Sequence, residues 1–194
     1  MSKFTSFILA SASPRRKELL HRGGYHFDVI VSSIDESKIP VEGLSPAQYT
    51  CKLALAKAQD IGRKFPDRFV VGADTIADFN GEIIGKAETA EQAKTIVRKL
   101  FGGPHKIITA IAIVKRDGGL EIVEYDTTIV YPEKMNEKQI EEHIVSGIWK
   151  DKAGAYAIQE GGDKFIERIE GSETNVMGFS VELFEKMIKK LTLP

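Results

Sequence analysis

Residues 69–77 of this 194-residue chain are FVVGADTIA, an apolar and β-branched run that contains one acid, Asp74. Runs of this length and composition are typical of buried strands. Asn80-Gly81 follows and is a strong signal for a two-residue hairpin that leads into a further strand at residues 82–84. The segment therefore predicts a buried strand with a carboxylate near its middle, followed by a tight turn.

Helix and strand signals alternate on both sides of this strand. Thr89 and Asn136 each form a predicted capping box with the glutamine three residues later, and Ser13 and Ser45 each precede a proline, as at many helix starts. Predicted helices begin after Ser13, Ser45, Thr89, Asn136 and Ser180. Predicted strands cover residues 7–10, 27–31, 107–114, 120–131 and 165–169. This order predicts a mixed α/β fold, with one long sheet flanked by helices, in a single domain spanning residues 1–194.

The composition excludes several classes of protein. Apolar residues make up 42% and charged residues 28% of the chain, as in ordinary globular domains. The net charge of −1 supplies no overall field for nucleic acid or an acidic membrane. The apolar run at residues 7–10 is too short for a membrane span or a signal peptide, and the single cysteine, Cys51, cannot form an intramolecular disulfide. We expect a cytoplasmic protein.

The first candidate site is the segment 11–16, Ser-Ala-Ser-Pro-Arg-Arg, between a predicted strand and a predicted helix. The N-terminus of a helix presents unpaired N–H groups and the positive end of the helix dipole, which together attract anions. Arg15 and Arg16 are unfavourable for the dipole at this position, so their presence favours an anion ligand such as phosphate. The alternative is a capped helix with solvated arginines.

Asp74 is the second candidate, because burial of a lone carboxylate costs free energy unless a cation, a metal or a strand end compensates. An ion pair or a turn cap is the structural alternative to a functional acid. Glu36, Lys57 and Lys86 are further candidates that by residue type alone are more often surface charges. Glu36 follows Asp35 in a predicted loop, where carboxylate oxygens suit Mg²⁺.

The last candidate is the segment 150–159, Lys-Asp-Lys-Ala-Gly-Ala-Tyr-Ala-Ile-Gln. Small residues around Gly154 permit close approach of a ligand to the backbone. Gln159 offers both a donor and an acceptor for the edge of a nucleic-acid base. The alternative interpretation is a polar turn.

Together these segments resemble the Maf family of nucleoside triphosphate pyrophosphatases. The matching segments are 9–16 (LASASPRR), 35–36 (DE), 57–58 (KA), 72–75 (GADT), 85–86 (GK), 152–156 (KAGAY), 158–159 (IQ) and 165–171 (FIERIEG), with Asn175 and Gly178. They cover nearly the whole chain in the family's order, which makes the resemblance specific. Ala87 and Ala157 depart from the family pattern, which has proline and glycine at these positions.

The resemblance implies an elongated α/β fold with a central cleft, related to that of the inosine triphosphate pyrophosphatases. It also implies hydrolysis of a nucleoside triphosphate to the monophosphate and pyrophosphate with a divalent metal cation, Mg²⁺ or Mn²⁺. Asp74 matches the family's proposed general base, and Glu36 and Asp74 match its metal site. Contacts to the triphosphate are implied for Ser11, Arg16, Lys57 and Lys86. The resemblance is compatible with a homodimer.

Three residues resemble the dTTP/UTP subfamily, namely Arg15, Thr75 and Gln159. Members that act on 7-methyl-GTP typically carry Trp, Gln and Glu at these positions. A glutamine amide can pair with the adjacent donor and acceptor of thymine or uracil. The predicted activity is removal of dTTP and UTP, or of modified pyrimidine nucleotides, from the nucleotide pool.

Three alternative functions follow from the same residues. The chain could be a 7-methyl-GTP-type member, or a nucleotide-sensing regulator of cell division without significant turnover. It could also bind nucleic acid through Arg15 and Arg16, against which the near-neutral charge and the lack of an aromatic-basic stripe argue.

Overall fold

Strand β3 (Val70–Phe79) lies inside a seven-stranded mixed sheet in the computed structural model, which describes residues 6–158 and 163–192. The other strands are β1 (Phe7–Leu9), β2 (Phe27–Val29), β4 (Glu82–Ile84), β5 (His105–Lys115), β6 (Leu120–Pro132) and β7 (Ile166–Glu170). The strand order is β2-β1-β3-β5-β6-β7, and β4 also pairs with β3. Strand β1 is parallel to β2 and β3, whereas the remaining pairs are antiparallel. The predicted mixed α/β fold is confirmed.

Helices flank this sheet. They are α1 (Pro14–Arg22), α2 (Pro46–Lys64), α3 (Ala90–Leu100), α4 (Glu137–Ser146), α5 (Glu173–Val176) and α6 (Val181–Thr192). The four-residue α5 was not predicted, because it is too short to show a helical period. None of the helices in the described part of the chain combines the length and the apolar character that a membrane span requires.

The predicted helix caps are confirmed with one exception. Ser45 and Asn136 each accept a hydrogen bond from the backbone of the glutamine three residues later, and that glutamine's side chain accepts one in return. Thr89 accepts from the backbone N–H of Gln92, but the Gln92 side chain accepts from Glu88 N instead. The capping box predicted at Thr89 is therefore wrong in its second half, since the amide reaches one residue further back.

One edge of β3 is open near its middle. The other edge pairs with β5 without interruption from Val70 to Asp78. On the open side, β1 pairs only with Val70 and Val71, and β4 pairs only with Ala77–Phe79. Because β1 runs parallel and β4 antiparallel to β3, both strands end facing this gap. The chain after β1, with Ser11 and α1, and the chain after β4, with Lys86, therefore converge beside residues 72–76.

The two faces of β3 pack against different helices. Val70 joins the apolar cluster of α2, which includes Ala54, Ala58 and Ile61. Val71 and Ala73 belong instead to the cluster formed with α1 and α6. Successive side chains of a strand point to opposite faces, so Asp74 is directed towards α2 and Thr75 towards the other side.

Gly72 sets how closely α2 approaches β3. A Cβ atom at this position would lie 2.3 Å from Ala54 O and 2.7 Å from Ala58 N, both of which are backbone atoms of α2. We expect Gly72→Ala to lower the free energy of unfolding by about 1–3 kcal/mol or more, because the helix must move away. Urea denaturation measures this change.

Gly103→Ala is the matched control, since a Cβ atom there meets nothing within 4 Å. Equal stability of the Gly72→Ala and Gly103→Ala variants would contradict the close approach of α2 to β3.

Candidate active site

Asp74 lies at the open edge of β3 and forms an ion pair with Lys57. The Lys57 Nζ atom is 2.6 Å from Asp74 Oδ1, and both side chains are almost buried, with 13% and 11% exposed. Burial is the largest influence on Asp74 and raises its pKa, against the opposite effect of Lys57 and Arg16. A raised pKa makes a carboxylate a better proton acceptor near neutral pH. Asp74 therefore forms the ion pair considered as an alternative, and its burial also suits it to act as a base.

Glu36 shares the same lysine. It begins a 3₁₀ turn, Glu36–Lys38, whose N-cap Asp35 accepts a hydrogen bond from the Ser37 backbone. Glu36 Oε1 lies 2.9 Å from Lys57 Nζ, and the Glu36 side chain is 52% exposed. One ammonium group thus lies between a buried and a half-exposed carboxylate, which come from β3 and from the loop before α2.

Arg16 is directed into the protein. Its Nε donates to Gly178 O at 2.8 Å, and its Nη1 donates to Ala73 O at 2.9 Å and to Ser11 Oγ at 3.1 Å. Its Nη2 donates to Thr75 Oγ1 at 3.2 Å. The guanidinium thus fills the open edge of β3 beside Asp74 with most of its N–H groups engaged. Arg16 is therefore not the solvated arginine considered as an alternative. Most of its N–H groups already bind protein oxygens, so few of them are available to an anion.

Two other predicted ligand residues belong to the same network. The buried Ser11 hydroxyl accepts from Ser13 N at 3.3 Å as well as from Arg16. Thr75 Oγ1 lies 2.9 Å from Thr109 Oγ1 and donates to Gly178 O at 3.2 Å. Thr75 is thus linked to Arg16 but separated from Asp74 by the strand itself. Arg15 is half-buried next to Arg16 in the sequence. Burial is the main influence on Arg16 and lowers the pKa of its guanidinium.

Lys86 lies on the exposed loop after β4, and this loop is tied to the segment predicted to read the base. Lys86 and Ala153 form an isolated antiparallel bridge, and Gly154 N donates to Gly85 O at 3.1 Å. Lys86 is thereby placed at the β4 end of the gap. Gln159 lies outside the described residues.

Backbone geometry and two buried histidines shape the residues before Gln159. Ala155 has a left-handed φ of 58°, an unfavourable conformation for a residue with a side chain. His143 Nε2 lies 2.8 Å from Ala155 O, and His105 Nε2 lies 2.8 Å from the hydroxyl of Tyr156. These contacts hold Ala155 and Tyr156 in the interior, so the segment is largely buried, and it also contains a turn at Gly154 and Ala155.

Two further residues lie beside the predicted site: Lys152 belongs to the candidate segment 150–159 but was given no role, and Tyr49 was not predicted. Lys152 is buried, with 8% exposed, next to the bridge that joins Ala153 to Lys86. Tyr49 lies on α2 two turns before Lys57, and burial with the negative charges of Asp74 and Glu36 raises its pKa. The signal for Tyr49 is its spacing of eight residues from Lys57, which places both on one side of a helix.

The carboxylates of Glu36 and Asp74 suit a hard cation that takes few protein ligands. The described residues contain no group of three or more His, Cys, Asp or Glu side chains arranged to hold a metal ion. Asp74 and Glu36 nevertheless both lie within hydrogen-bond distance of a single nitrogen. Mg²⁺ is commonly bound by one or two carboxylates and completed by phosphate oxygens and water. The two carboxylates fit such an ion.

A separate cavity of about 290 Å³ lies at the outer edge of the sheet, between β2 and the end of α1. Its lining includes Tyr25, Phe27 and Arg68, and none of the predicted site residues. The cavity is therefore distinct from the gap beside Asp74.

Comparison with known proteins identifies the family of this chain. The family model described as Maf-like protein matches residues 6–191. The chain belongs to the Maf family. A relative from Citrifermentans bemidjiense, named dTTP/UTP pyrophosphatase, is 43% identical over 176 residues, which cover 91% of this chain and 90% of the relative.

Further comparisons give a second curated relative and a solved structure. A relative from Methanosarcina barkeri with the same name is 40% identical over 184 residues, covering 94% of this Maf-family chain and 92% of the relative. The structure of the Staphylococcus aureus Ham1 protein matches with a TM-score of 0.54 at 14% identity, over 95% of this chain and 98% of that one. This structural similarity concerns the fold alone.

The Lys57–Asp74 pair allows a stability test. We expect Lys57→Met to lower the free energy of unfolding by about 3–5 kcal/mol, because a buried carboxylate loses its nearest cation. The double variant Lys57→Met/Asp74→Asn should regain part of this loss. Urea unfolding, followed by the fluorescence of the single tryptophan, Trp149, measures both.

The control is Lys190→Met, which removes an exposed ion pair with Glu124 and should cost less than about 1 kcal/mol. If Lys57→Met were as stable as Lys190→Met, the buried ion pair would not have the energetic role assigned to it.

Proposed function

We propose that this chain hydrolyses dTTP and UTP to the monophosphate and pyrophosphate, in the cytoplasm and with a divalent cation. The observation that carries the proposal is the buried Asp74 carboxylate, held by Lys57 at the only part of the β3 edge left open between β1 and β4 in the described chain. The names of the curated relatives support the reaction and the substrates. The role of such an activity is removal of unwanted pyrimidine nucleotides from the pool. We extend the proposal to a homodimer.

The reaction needs a base and a set of positive charges. Asp74 accepts a proton from the water that attacks the α-phosphorus, and the bond from the α-phosphorus to the bridging oxygen breaks as pyrophosphate leaves. Lys57 lies between Asp74 and Glu36 and can turn from these carboxylates to the phosphate oxygens. Lys86 approaches from the opposite end of the gap. Positioning and electrostatic stabilisation of this kind account for most of phosphoryl-transfer catalysis.

Arg16 contributes to the site mainly through the electrostatic effect of its positive charge. Four hydrogen bonds commit its guanidinium to the protein, and it is close enough to Asp74 for their charges to influence each other. Its contacts with Ser11 and Ala73 also hold the N-terminus of α1 against the open edge. The N-terminus of α1, with the positive end of its helix dipole, therefore faces the same gap as the lysines.

Asp74 and Glu36 would hold the divalent cation. When bound, such an ion polarises the phosphate oxygens and offsets their negative charge. The other roles belong to the protein's side chains. Asp74 accepts the proton, and Lys57 and Lys86 bind the leaving pyrophosphate.

The proposed function is tested by product analysis of the wild-type protein with Mg²⁺ and a panel of dTTP, UTP and 7-methyl-GTP. We expect pyrophosphate and the pyrimidine monophosphates. Stepwise release of inorganic phosphate would overturn the assignment of the reaction. Preference for 7-methyl-GTP would favour the other subfamily, and nucleotide binding without turnover would favour a sensor. A gel shift that survives moderate salt would favour nucleic-acid binding.

Removal of the base should abolish most turnover. We expect Asp74→Asn to lower kcat by about two orders of magnitude or more while nucleotide binding persists, because a general base contributes about 10²–10⁴-fold. Steady-state pyrophosphate release and equilibrium binding measure the two effects.

The matched control for this variant is Asp78→Asn on the same strand. Asp78 is equally buried, but its carboxylate accepts from Gly81 N in the hairpin turn, a contact that asparagine can keep. Asp78→Asn should retain turnover. Full activity of Asp74→Asn would remove Asp74 from the base role.

Gln159 should govern the choice of base. We expect Gln159→Glu to erode the preference for dTTP and UTP, because a carboxylate no longer supplies the amide donor. The ratio of kcat/KM values for dTTP, UTP and 7-methyl-GTP measures this preference. Gln48→Glu in the exposed capping box of α2 is the control, and an unchanged ranking in Gln159→Glu would mean that the base is read elsewhere.

The other two subfamily residues are less suited to this test. Thr75 is part of the buried hydroxyl network with Thr109 and Arg16, so Arg15→Trp with Thr75→Gln would disturb packing as well as specificity.

A further inference from the structure

Asp60 lies on α2 three residues after Lys57, so the two side chains share one face of the helix. Its Oδ2 atom accepts from the backbone N–H of Ser33 at 2.9 Å and from the Ser32 hydroxyl at 3.0 Å. The Ser33 hydroxyl is a weaker third donor at 3.4 Å. Only 16% of the Asp60 side chain is exposed. One carboxylate thus fastens two consecutive serines to α2.

These serines begin the stretch that carries Glu36. Strand β2 ends at Val29, and Ile30 N still donates to Leu9 O at 3.2 Å, but no strand follows before the turn at Glu36 in the described chain. The position of this stretch therefore depends on side-chain contacts. Helix α2 provides two of them, Asp60 to the serines and Lys57 to Glu36.

The hydrogen bonds to Asp60 are those of an ionised carboxylate. The backbone N–H of Ser33 is the largest influence on Asp60 and lowers its pKa. Hydrogen bonds to a charged acceptor are stronger than those between neutral groups. The contact is thus suited to hold a segment that would otherwise depend on the half-exposed Glu36 alone.

We propose that Asp60 is a positioning residue that, through Ser32 and Ser33, holds Glu36 beside Asp74 for cation binding. The inference rests on the proposed function, in which Glu36 and Asp74 hold the divalent cation. Asp60 itself contacts neither the cation nor the nucleotide. Residues that hydrogen-bond a metal ligand directly contribute about 10–100-fold to metal affinity or activity, and Asp60, which acts through two serines, belongs at the lower end of that range.

The test measures Mn²⁺ binding directly, by the electron paramagnetic resonance signal of the free ion, in the wild type and in Asp60→Ala. We expect Asp60→Ala to weaken Mn²⁺ binding about 10-fold. The Mg²⁺ concentration at half-maximal rate should rise in the same proportion, whereas kcat at saturating Mg²⁺ should change far less. A residue that only stabilised the fold would not produce this split.

A double variant separates positioning from general destabilisation. Glu36→Gln should weaken Mn²⁺ binding by itself, and adding Asp60→Ala to it should cause little further loss, because the two residues act through one contact. Lys64→Ala is the control, since Lys64 lies 3.5 Å from the other oxygen of Asp60 and takes no part in holding the serines. It should leave Mn²⁺ binding unchanged.

Two milder variants keep the test decisive if Asp60→Ala does not fold. Asp60→Asn retains an acceptor for Ser33 N, and Ser32→Ala removes only one donor; each should weaken Mn²⁺ binding to a smaller extent. Wild-type Mn²⁺ affinity in folded Asp60→Ala, or in both milder variants, would overturn the inference if Glu36→Gln weakens binding. Wild-type affinity in Glu36→Gln would instead overturn the metal assignment on which the inference rests.

Discussion

A carboxylate in an apolar strand must have a positive charge beside it, and this requirement organises the site of the Maf-family chain. The Asp74 side chain is almost buried and therefore poorly hydrated. The free-energy cost of burying its charge is offset mainly by Lys57. Lys57 can reach it only because Gly72 lets α2 lie directly on β3. The electrostatics of the site and the packing of the core therefore depend on the same helix–strand contact.

The open edge of β3 is the second constraint. Strands β1 and β4 pair with opposite ends of β3 and stop short of each other, so backbone groups near Asp74 lack strand partners. Arg16 satisfies one of them, the carbonyl of Ala73, and joins it to Ser11 and Gly178. At this point of the edge a side chain, rather than a strand, provides the hydrogen-bond donor.

Much of the fold could be predicted from local signals. The caps of α1, α2 and α4 and the hairpin at Asn80-Gly81 each depend on residues within four positions of one another. The half-formed box at Thr89 and the short α5 were not predicted correctly, because a side chain can choose between neighbouring N–H groups and one helical turn has no period. The short strand at residues 82–84 was predicted, but the order of the strands and the open edge left between β1 and β4 depend on long-range pairing and could not be predicted.

The amino-acid sequence by itself indicated that Asp74 is buried, that its charge needs a cation, a metal or a strand end, and that Arg15 and Arg16 lie at the start of a helix. The spacing of apolar and capping residues is sufficient for these conclusions. Only the tertiary structure decided that Lys57 is the cation, that it also binds Glu36, and that Arg16 is directed inward. Alternation along β3 separates Thr75 from Asp74, and Arg16 hydrogen-bonds Thr75 and the edge carbonyl of Ala73 while its charge also influences Asp74. Such contacts join residues far apart in the chain, so they exist only once α1 and α2 have packed on opposite faces of the sheet.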